Sequence, residues 1–366
     1  MKTTIPWWSV DLSGINEQVF SRVLESNFPN EGEITLELSE FMSDFLKVRY
    51  AFFTTSGTAA IFLALKAIGI GPQSRVAVPN LTFIATANAV NLTGAEVVLV
   101  DVLPDSLTIS TEELDRIHKQ NPIDAVIPVH VSGRSAFKGR LLEWAMLNKV
   151  EIIEDAAEAF GSKDPESGEY LGTIGVAGAF SFSPNKLITS GQGGLVVTNK
   201  EVVAKEIVRV KDQGRPQRGS GGDDIHETIG YNFKFTDLQA SLLYAQLPQI
   251  EKRLSHLSEV YSFYETELPI CEHYTLGRFE ISRGEIPLWP ELLSGFRNKI
   301  EIALSENLIG YRRVWHPISS QKPYEKTEIF PQSSLASQQA LWLPSSFKLS
   351  PDDIRRITLT IRESFN

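Results

Sequence analysis

Apolar residues arrive along the chain in two rhythms. Between about Tyr50 and Thr198, short β-branched runs alternate with longer stretches whose apolar positions recur every three or four residues. That is the pattern of strand-helix-strand units around a largely parallel sheet. The expected strands are residues 76–78, 96–100, 125–129, 151–154, 178–182 and 194–198. Several are apolar on successive residues, which suits strands covered on both faces. The clearest helix starts after Ser56, with Ile61, Ala64, Leu65 and Ile68 at helical spacing and Gly69 and Gly71 ending the pattern. A long helical connector is expected from Thr236 to about Thr266, with Leu238, Leu242, Ala245, Ile250, Leu254 and Leu257 on its apolar face. From about Leu268 onward the chain reads as a smaller α/β unit that closes on a helix from Pro351 to Phe365, capped by Ser350. Residues 214–224 are rich in glycine and charge, lack any period and are expected to form an exposed, mobile loop.

Composition removes whole classes. With 366 residues, 42% hydrophobic and 22% charged, the chain has the make-up of a soluble globular protein of about two domains, and disordered, collagen-like and coiled-coil readings fall away. A net charge of −10 without a basic run gives no general grip on a phosphate backbone, so no nucleic acid partner is expected. Cys271 is the single cysteine and no Cys/His cluster has zinc spacing, so neither a disulfide within the chain nor a metal site is expected. No stretch approaches a membrane-spanning run and residues 1–8 lack an apolar signal core. The expected location is the cytoplasm, with no membrane partner.

Three segments could carry chemistry. Thr54-Thr55-Ser56-Gly57-Thr58-Ala59-Ala60 places small residues at a helix N-terminus, where free N–H groups and the helix dipole can hold a phosphate, although a plain Ser N-cap explains it as well. Asp155 follows the expected strand 151–154, where open α/β sheets bind ligands, with a helix N-cap as the plainer reading. Lys186 lies among small residues and glycines after the strand at 178–182, a place where partial desolvation keeps an amine nucleophilic. Phosphate cradle, strand-end carboxylate and strand-end lysine together are what a pyridoxal phosphate site requires.

Five ordered stretches carry a more specific likeness: Ser56-Gly57-Thr58-Ala59-Ala60, Val78-Pro79-Asn80-Leu81-Thr82-Phe83, Glu154-Asp155-Ala156-Ala157-Glu158-Ala159, Phe180-Ser181-Phe182-Ser183-Pro184-Asn185-Lys186 and Gly230-Tyr231-Asn232-Phe233-Lys234-Phe235-Thr236-Asp237. They resemble the DegT/DnrJ/EryC1/StrS aminotransferases, pyridoxal phosphate enzymes that aminate nucleotide-linked keto sugars. The resemblance implies an α/β, fold-type-I architecture, with a large cofactor-binding domain over residues 1–247 and a small C-terminal domain over 248–366. It implies that Lys186 bonds covalently to the cofactor and shuttles a proton, and that Asp155 pairs with the ring nitrogen. Phe83 would stack on the ring, Gly57, Thr58 and Ser181 would hold the phosphate, and Glu158 would lie near the ring 3-hydroxyl. Asn232 would reach the phosphate of the neighbouring subunit, which makes the active unit a homodimer with shared sites. Glutamate is the amino donor the resemblance implies, with pyridoxamine phosphate between the two half-reactions.

Departures from the family pattern matter too. Gln192 occupies a place that is usually acidic in Gly191-Gln192-Gly193-Gly194, His316 sits in an altered late motif, and residues 276–296 match poorly. Retention of Lys186 points to transamination rather than sugar dehydration. Leu187-Ile188-Thr189-Ser190-Gly191 is similar to relatives that act at sugar C4, with C3 amination as the alternative. The expected product is a 4-amino sugar for surface polysaccharide, such as lipopolysaccharide O-antigen, or for a glycoconjugate. A cofactor-binding regulator without turnover is a distant third reading, opposed by the intact Asp155/Lys186 pair. No Gly-x-Ser-x-Gly elbow, P-loop or dinucleotide fingerprint occurs, and Cys271 lies outside every motif.

Overall fold

The apolar runs assemble into the middle of a seven-stranded sheet. The computed structural model describes residues 3–216 and 224–365. Its strands are β1 (Tyr50–Thr54), β2 (Arg75–Pro79), β3 (Glu96–Val100), β4 (Ala125–Val126), β5 (Glu151–Asp155), β6 (Ala177–Ser181) and β7 (Gly194–Thr198), in the order β1-β7-β6-β5-β4-β2-β3. Every pairing is parallel except those of β7 with β6 and β1, so β7 alone runs backwards. Successive residues go to opposite faces, as pleating demands. Val76, Val78, Ile153 and Val196 join one core, while Ala77, Val126, Ile152 and Val197 join the other.

The first core is filled by the helix Gly57–Ala67, which is buried almost all round. Ser56 caps it, accepting a hydrogen bond from the Ala59 N–H at 3.1 Å. A helix apolar on every side must sit inside the molecule, and this one lies between the sheet and the helix Glu201–Lys211.

Several expectations need correction. β1 was not anticipated, because Tyr50-Ala51-Phe52-Phe53-Thr54 carries no β-branched run. The strand expected over 125–129 stops at Val126, with Val129 making only an isolated bridge to Asp155. The long connector is two helices, Asp237–Tyr244 and Ile250–Glu267, separated by a turn at Leu247–Gln249 that contains Pro248. A proline removes an N–H and clashes with the preceding turn, so the axis breaks there. Its first half also buries a different face: Leu238 is 44% exposed, and Ala240 and Leu243 are fully buried in its place. Residues 217–223 of the expected loop lie outside the described residues, while just before them the Gly214 N–H donates to the Arg209 carbonyl at 2.8 Å.

A second sheet, entirely antiparallel, has the order β10-β11-β9-β8 from β8 (Thr275–Leu276), β9 (Glu291–Leu293), β10 (Arg312–Arg313) and β11 (Ala340–Trp342). The helices Ile250–Glu267 and Pro351–Glu363 pack with it through Tyr261, Tyr264, Leu292, Leu341, Ile357 and Ile361. Ser350 and Asp353 cap the last helix reciprocally. The N-terminal segment crosses over to this unit, where the Ile5 N–H donates to the Leu308 carbonyl and the Gly310 N–H to the Ile5 carbonyl. That crossing carries Trp7 and Trp8 onto Trp289, with ring centroids 5.3 and 6.5 Å away.

Candidate active site

The carboxyl ends of β1, β2, β5 and β6 point the same way, and the chain leaving each one lines a single cavity of about 470 Å³. This is where an open α/β sheet exposes its strand ends, and the volume is in the range of small-molecule sites. Gly57 and Thr58 come from the helix after β1, Phe83 from the turn after β2, Asp155 and Glu158 from the end of β5, and Ser181 and Lys186 from the end of β6. Three larger clefts, of about 780, 790 and 670 Å³, hold none of these groups.

Asp155 is the last residue of β5 rather than a helix cap. Its two carboxylate oxygens are held apart in role, Oδ2 accepting from the Thr86 hydroxyl at 2.7 Å and Oδ1 from the Ala157 N–H at 3.1 Å. Burial pushes its carboxyl above the ordinary range, although both hydrogen bonds oppose that. Beneath it, His130 Nδ1 accepts from the Ala136 N–H at 3.0 Å. A backbone N–H can only donate, so the ring is neutral and Nε2–H donates to Glu154 at 2.9 Å.

Lys186 Nζ lies 3.6 Å from Glu158 Oε1 and 4.7 Å from the Trp289 ring centroid. Its side chain is 12% exposed. Burial holds its ammonium below the usual lysine range, with the Glu158 and Asp155 charges pulling the other way and Arg312 adding to the depression. The outcome is an amine more often free than that of a surface lysine, as a nucleophile requires. Burial likewise raises the Glu158 carboxyl, whose Oε2 accepts from the Ser132 N–H at 3.0 Å.

The loop that carries Lys186 is fastened from outside. Gln246 donates to the Thr189 carbonyl at 2.7 Å and accepts from its N–H at 3.3 Å, and buried Arg253 donates to the Leu187 carbonyl at 2.8 Å. The Trp8 indole donates to the Pro184 carbonyl at 3.2 Å. No motif announced Gln246 or Arg253, because each acts on backbone far away in sequence.

Seven of the eight anticipated site residues share this cavity: Gly57, Thr58, Phe83, Asp155, Glu158, Ser181 and Lys186. Phe83 is 52% exposed and lines the cavity, so it is not core packing. Asn232 is not among the lining residues. Tyr231 and Phe233 stack on each other and set their edges toward Phe62, which leaves the intervening Asn232 exposed. His316 is exposed and outside the lining, whereas Gln192 is part of it. The opposite wall was not foreseen at all. Trp289, Arg312, Trp315 and Trp342 line it, all from the unit built on the second sheet.

The lining fits pyridoxal phosphate on its own chemistry. A Cβ added at Gly57 would stand 3.0 Å from Ser181 Cβ, so the helix N-terminus and the end of β6 close on each other only as glycine allows. There the first-turn N–H groups, the Thr58 hydroxyl and Ser181 form a cradle for phosphate. An exposed aromatic face, a buried carboxylate and a buried amine complete the donor set. Among the described residues no His, Cys, Asp and Glu group could hold a metal, and no helix is long and apolar enough to cross a membrane.

A mostly parallel sheet with this cradle, carboxylate and lysine at its strand ends has the make-up of a pyridoxal phosphate-dependent enzyme. Residues 12–362 match the DegT/DnrJ/EryC1/StrS aminotransferase family, and the chain belongs to it. It is 31% identical over 334 residues to the GDP-perosamine synthase of Caulobacter vibrioides, covering 89% of this chain and 88% of that one. A DegT/DnrJ/EryC1/StrS aminotransferase from Brucella abortus shares the fold with a TM-score of 0.86 at 27% identity, over 94% of both chains. DesV from S. venezuelae, solved in complex with a ketimine intermediate, gives 0.88 at 26% identity over 95% of this chain and 93% of that one. The protein is a sugar aminotransferase and its cofactor is pyridoxal phosphate.

Proposed function

We propose that the protein transfers an amino group from glutamate to a nucleotide-linked 4-keto-6-deoxy sugar. The observation that carries this reading is the meeting of Lys186 with Asp155 and Glu158 on one strand-end floor, facing a cavity large enough for a sugar. The cofactor, when bound, supplies an electron sink for the carbon that gains or loses a proton. Lys186 would hold the cofactor through its amine and would carry the proton at Nζ. Asp155, oriented by Thr86 and the Ala157 N–H, would pair with the ring nitrogen. Phe83 would offer its face to the ring, Gly57, Thr58 and Ser181 would hold the phosphate, and Glu158 would lie by the 3-hydroxyl.

The 4-keto assignment is supported by the relatives named GDP-perosamine synthase, including those of Vibrio cholerae and Escherichia coli O157:H7 at 29% identity. The sequence pattern at 187–191 supports it only indirectly. Those residues do not line the cavity, and Thr189 and Ser190 are buried and hydrogen-bonded within their own loop. On this reading the product is a 4-amino sugar of the kind used in surface polysaccharides. Incubation with glutamate and a panel of nucleotide-linked keto sugars, followed by NMR of the product, tests it. An amine at C3 instead of C4 refutes the regiochemistry and leaves the cofactor site standing.

The exposed Asn232 supports a homodimer in which it completes the phosphate site of the neighbouring subunit. Mixing Lys186→Ala with Asn232→Asp should restore activity in hybrid dimers. If both variants are inactive alone and the hybrid recovers nothing, the shared site is wrong.

A further inference from the structure

Transamination asks one cavity to receive two unlike substrates, an amino acid with carboxylates and a nucleotide-linked sugar. Among the described residues the cavity is lined by only four ionisable side chains, Asp155, Glu158, Lys186 and Arg312. Two are acids and Lys186 is committed to the cofactor. A dicarboxylate approaching this floor meets like charge unless Arg312 offsets it.

Arg312 is built to do so. Other arginines that reach the second sheet are neutralised: Arg313 pairs with Glu301 at 2.7 Å, and buried Arg134, from the segment after β4, pairs with Glu291 at 2.9 Å. Arg312 has no acidic partner among the described residues. Its guanidinium carbon lies instead 5.2 Å from the Trp7 ring centroid and 5.8 Å from that of Trp342, its cross-strand partner. Aromatic faces steady a guanidinium without using its charge or occupying its in-plane N–H donors. A planar fork held in that way matches a carboxylate with two parallel hydrogen bonds. We propose that Arg312, seated on Trp7 and Trp342, is the receptor for a carboxylate of the amino donor and of its 2-oxo acid product. The inference rests on the functional reading above and adds to it the residue that admits the donor.

The test uses holoenzyme and separates the half-reactions. Stopped-flow absorbance of the cofactor follows conversion by glutamate alone, with no sugar present. Calorimetry with maleate, an unreactive dicarboxylate, and separately with GDP reads binding without turnover. Arg312→Met should raise the glutamate concentration for half-maximal conversion by roughly 10- to 100-fold, the range of a lost hydrogen-bonded charge contact. It should weaken maleate binding by a similar factor and leave GDP binding within about twofold. Arg312→Lys should recover part of the loss. Unchanged cofactor absorbance and melting temperature in both variants establish that the site is intact. If maleate and glutamate are unaffected, the inference is overturned. If GDP is weakened instead, Arg312 serves the pyrophosphate and the donor assignment is wrong. A wild-type protein that glutamate does not convert at all would refute the functional reading itself, an outcome distinct from a variant that behaves like wild type.

Discussion

The two sides of the cavity are built in opposite ways. The floor comes from strand ends of one sheet, and each of its groups is within a few residues of a strand that fixes its direction. Asp155 is the last residue of β5 and Ser181 the last of β6, and Lys186 follows five residues later. The wall opposite is assembled from distant pieces: Trp289 next to β9, Arg312 in β10, Trp315 just beyond it and Trp342 in β11, with Trp7 of the N-terminal segment packed against Arg312 and Trp289. The floor holds the carboxylates and the amine, to which the proposed function gives the chemistry, and the wall holds broad aromatic faces and a cation, to which it gives the binding of substrates. Ser132 joins the two. Its N–H donates to Glu158 on the floor, its hydroxyl accepts from the Trp342 indole at 3.0 Å, and its carbonyl accepts from the Leu288 N–H beside Trp289. It does this from a left-handed backbone, φ 53°, that a non-glycine residue adopts only when its surroundings enforce it.

If that division holds, floor substitutions should abolish chemistry and wall substitutions should alter binding or stability. The largest effect belongs to Lys186→Ala, which removes nucleophile and proton carrier together and should lower turnover by on the order of 10⁴-fold or more, with no borohydride-fixed cofactor on peptide mapping. Asp155→Asn should follow, with a loss on the order of 100-fold in both half-reactions, measured as kcat for each. Thr86→Val leaves one Asp155 oxygen without its hydroxyl donor and should cost about tenfold in kcat with little change in the KM for glutamate. On the wall, Trp342→Phe loses the N–H to Ser132 and, with its single ring, part of the packing of a fully buried side chain. It should cost about 2 kcal/mol of stability in denaturant unfolding and less than about threefold in kcat. A wall variant that abolished turnover while still binding both substrates would break the comparison.

The smallest effect sharpens the electrostatics. Burial lowers the Lys186 ammonium from its ordinary 10.5 and the Glu158 charge opposes that shift. Glu158→Gln therefore removes an influence that favours the protonated form, and the free amine should persist to lower pH. The acid limb of cofactor attachment, followed by absorbance against pH, should move to lower pH in the variant. A shift to higher pH would mean that Glu158 does not act on Lys186 through its charge.

How much of this was legible in the chain follows from the same contrast. A strand, its end and the first turn after it occupy adjacent residues, so Gly57, Asp155 and Lys186 could be placed from apolar runs and glycines, whereas Glu158 and Ser181 came from the family resemblance. Phe83 was ambiguous in sequence, because an aromatic at a strand end serves a core as readily as a ligand, and its exposure removed the core reading. Asn232 was placed toward a neighbouring subunit, and its absence from the lining of its own cavity is compatible with that without testing it. Leu238 misled because helical spacing predicts one apolar face but not which neighbours cover it, and the break at Pro248 rotated the two halves onto different partners.

The sequence by itself determined the alternating architecture, the strand-end chemistry and the kind of cofactor, because these depend on short-range order that the backbone enforces locally. Only the tertiary structure decided that Gln246 and Arg253 fasten the lysine loop, that Ser132 ties Glu158 to Trp342, and that Arg312 faces the cavity without an acidic partner among the described residues. These contacts join residues 26 to 210 positions apart, or depend on which charges go unpaired, and side-chain packing brings such groups together without leaving a period or spacing in the chain.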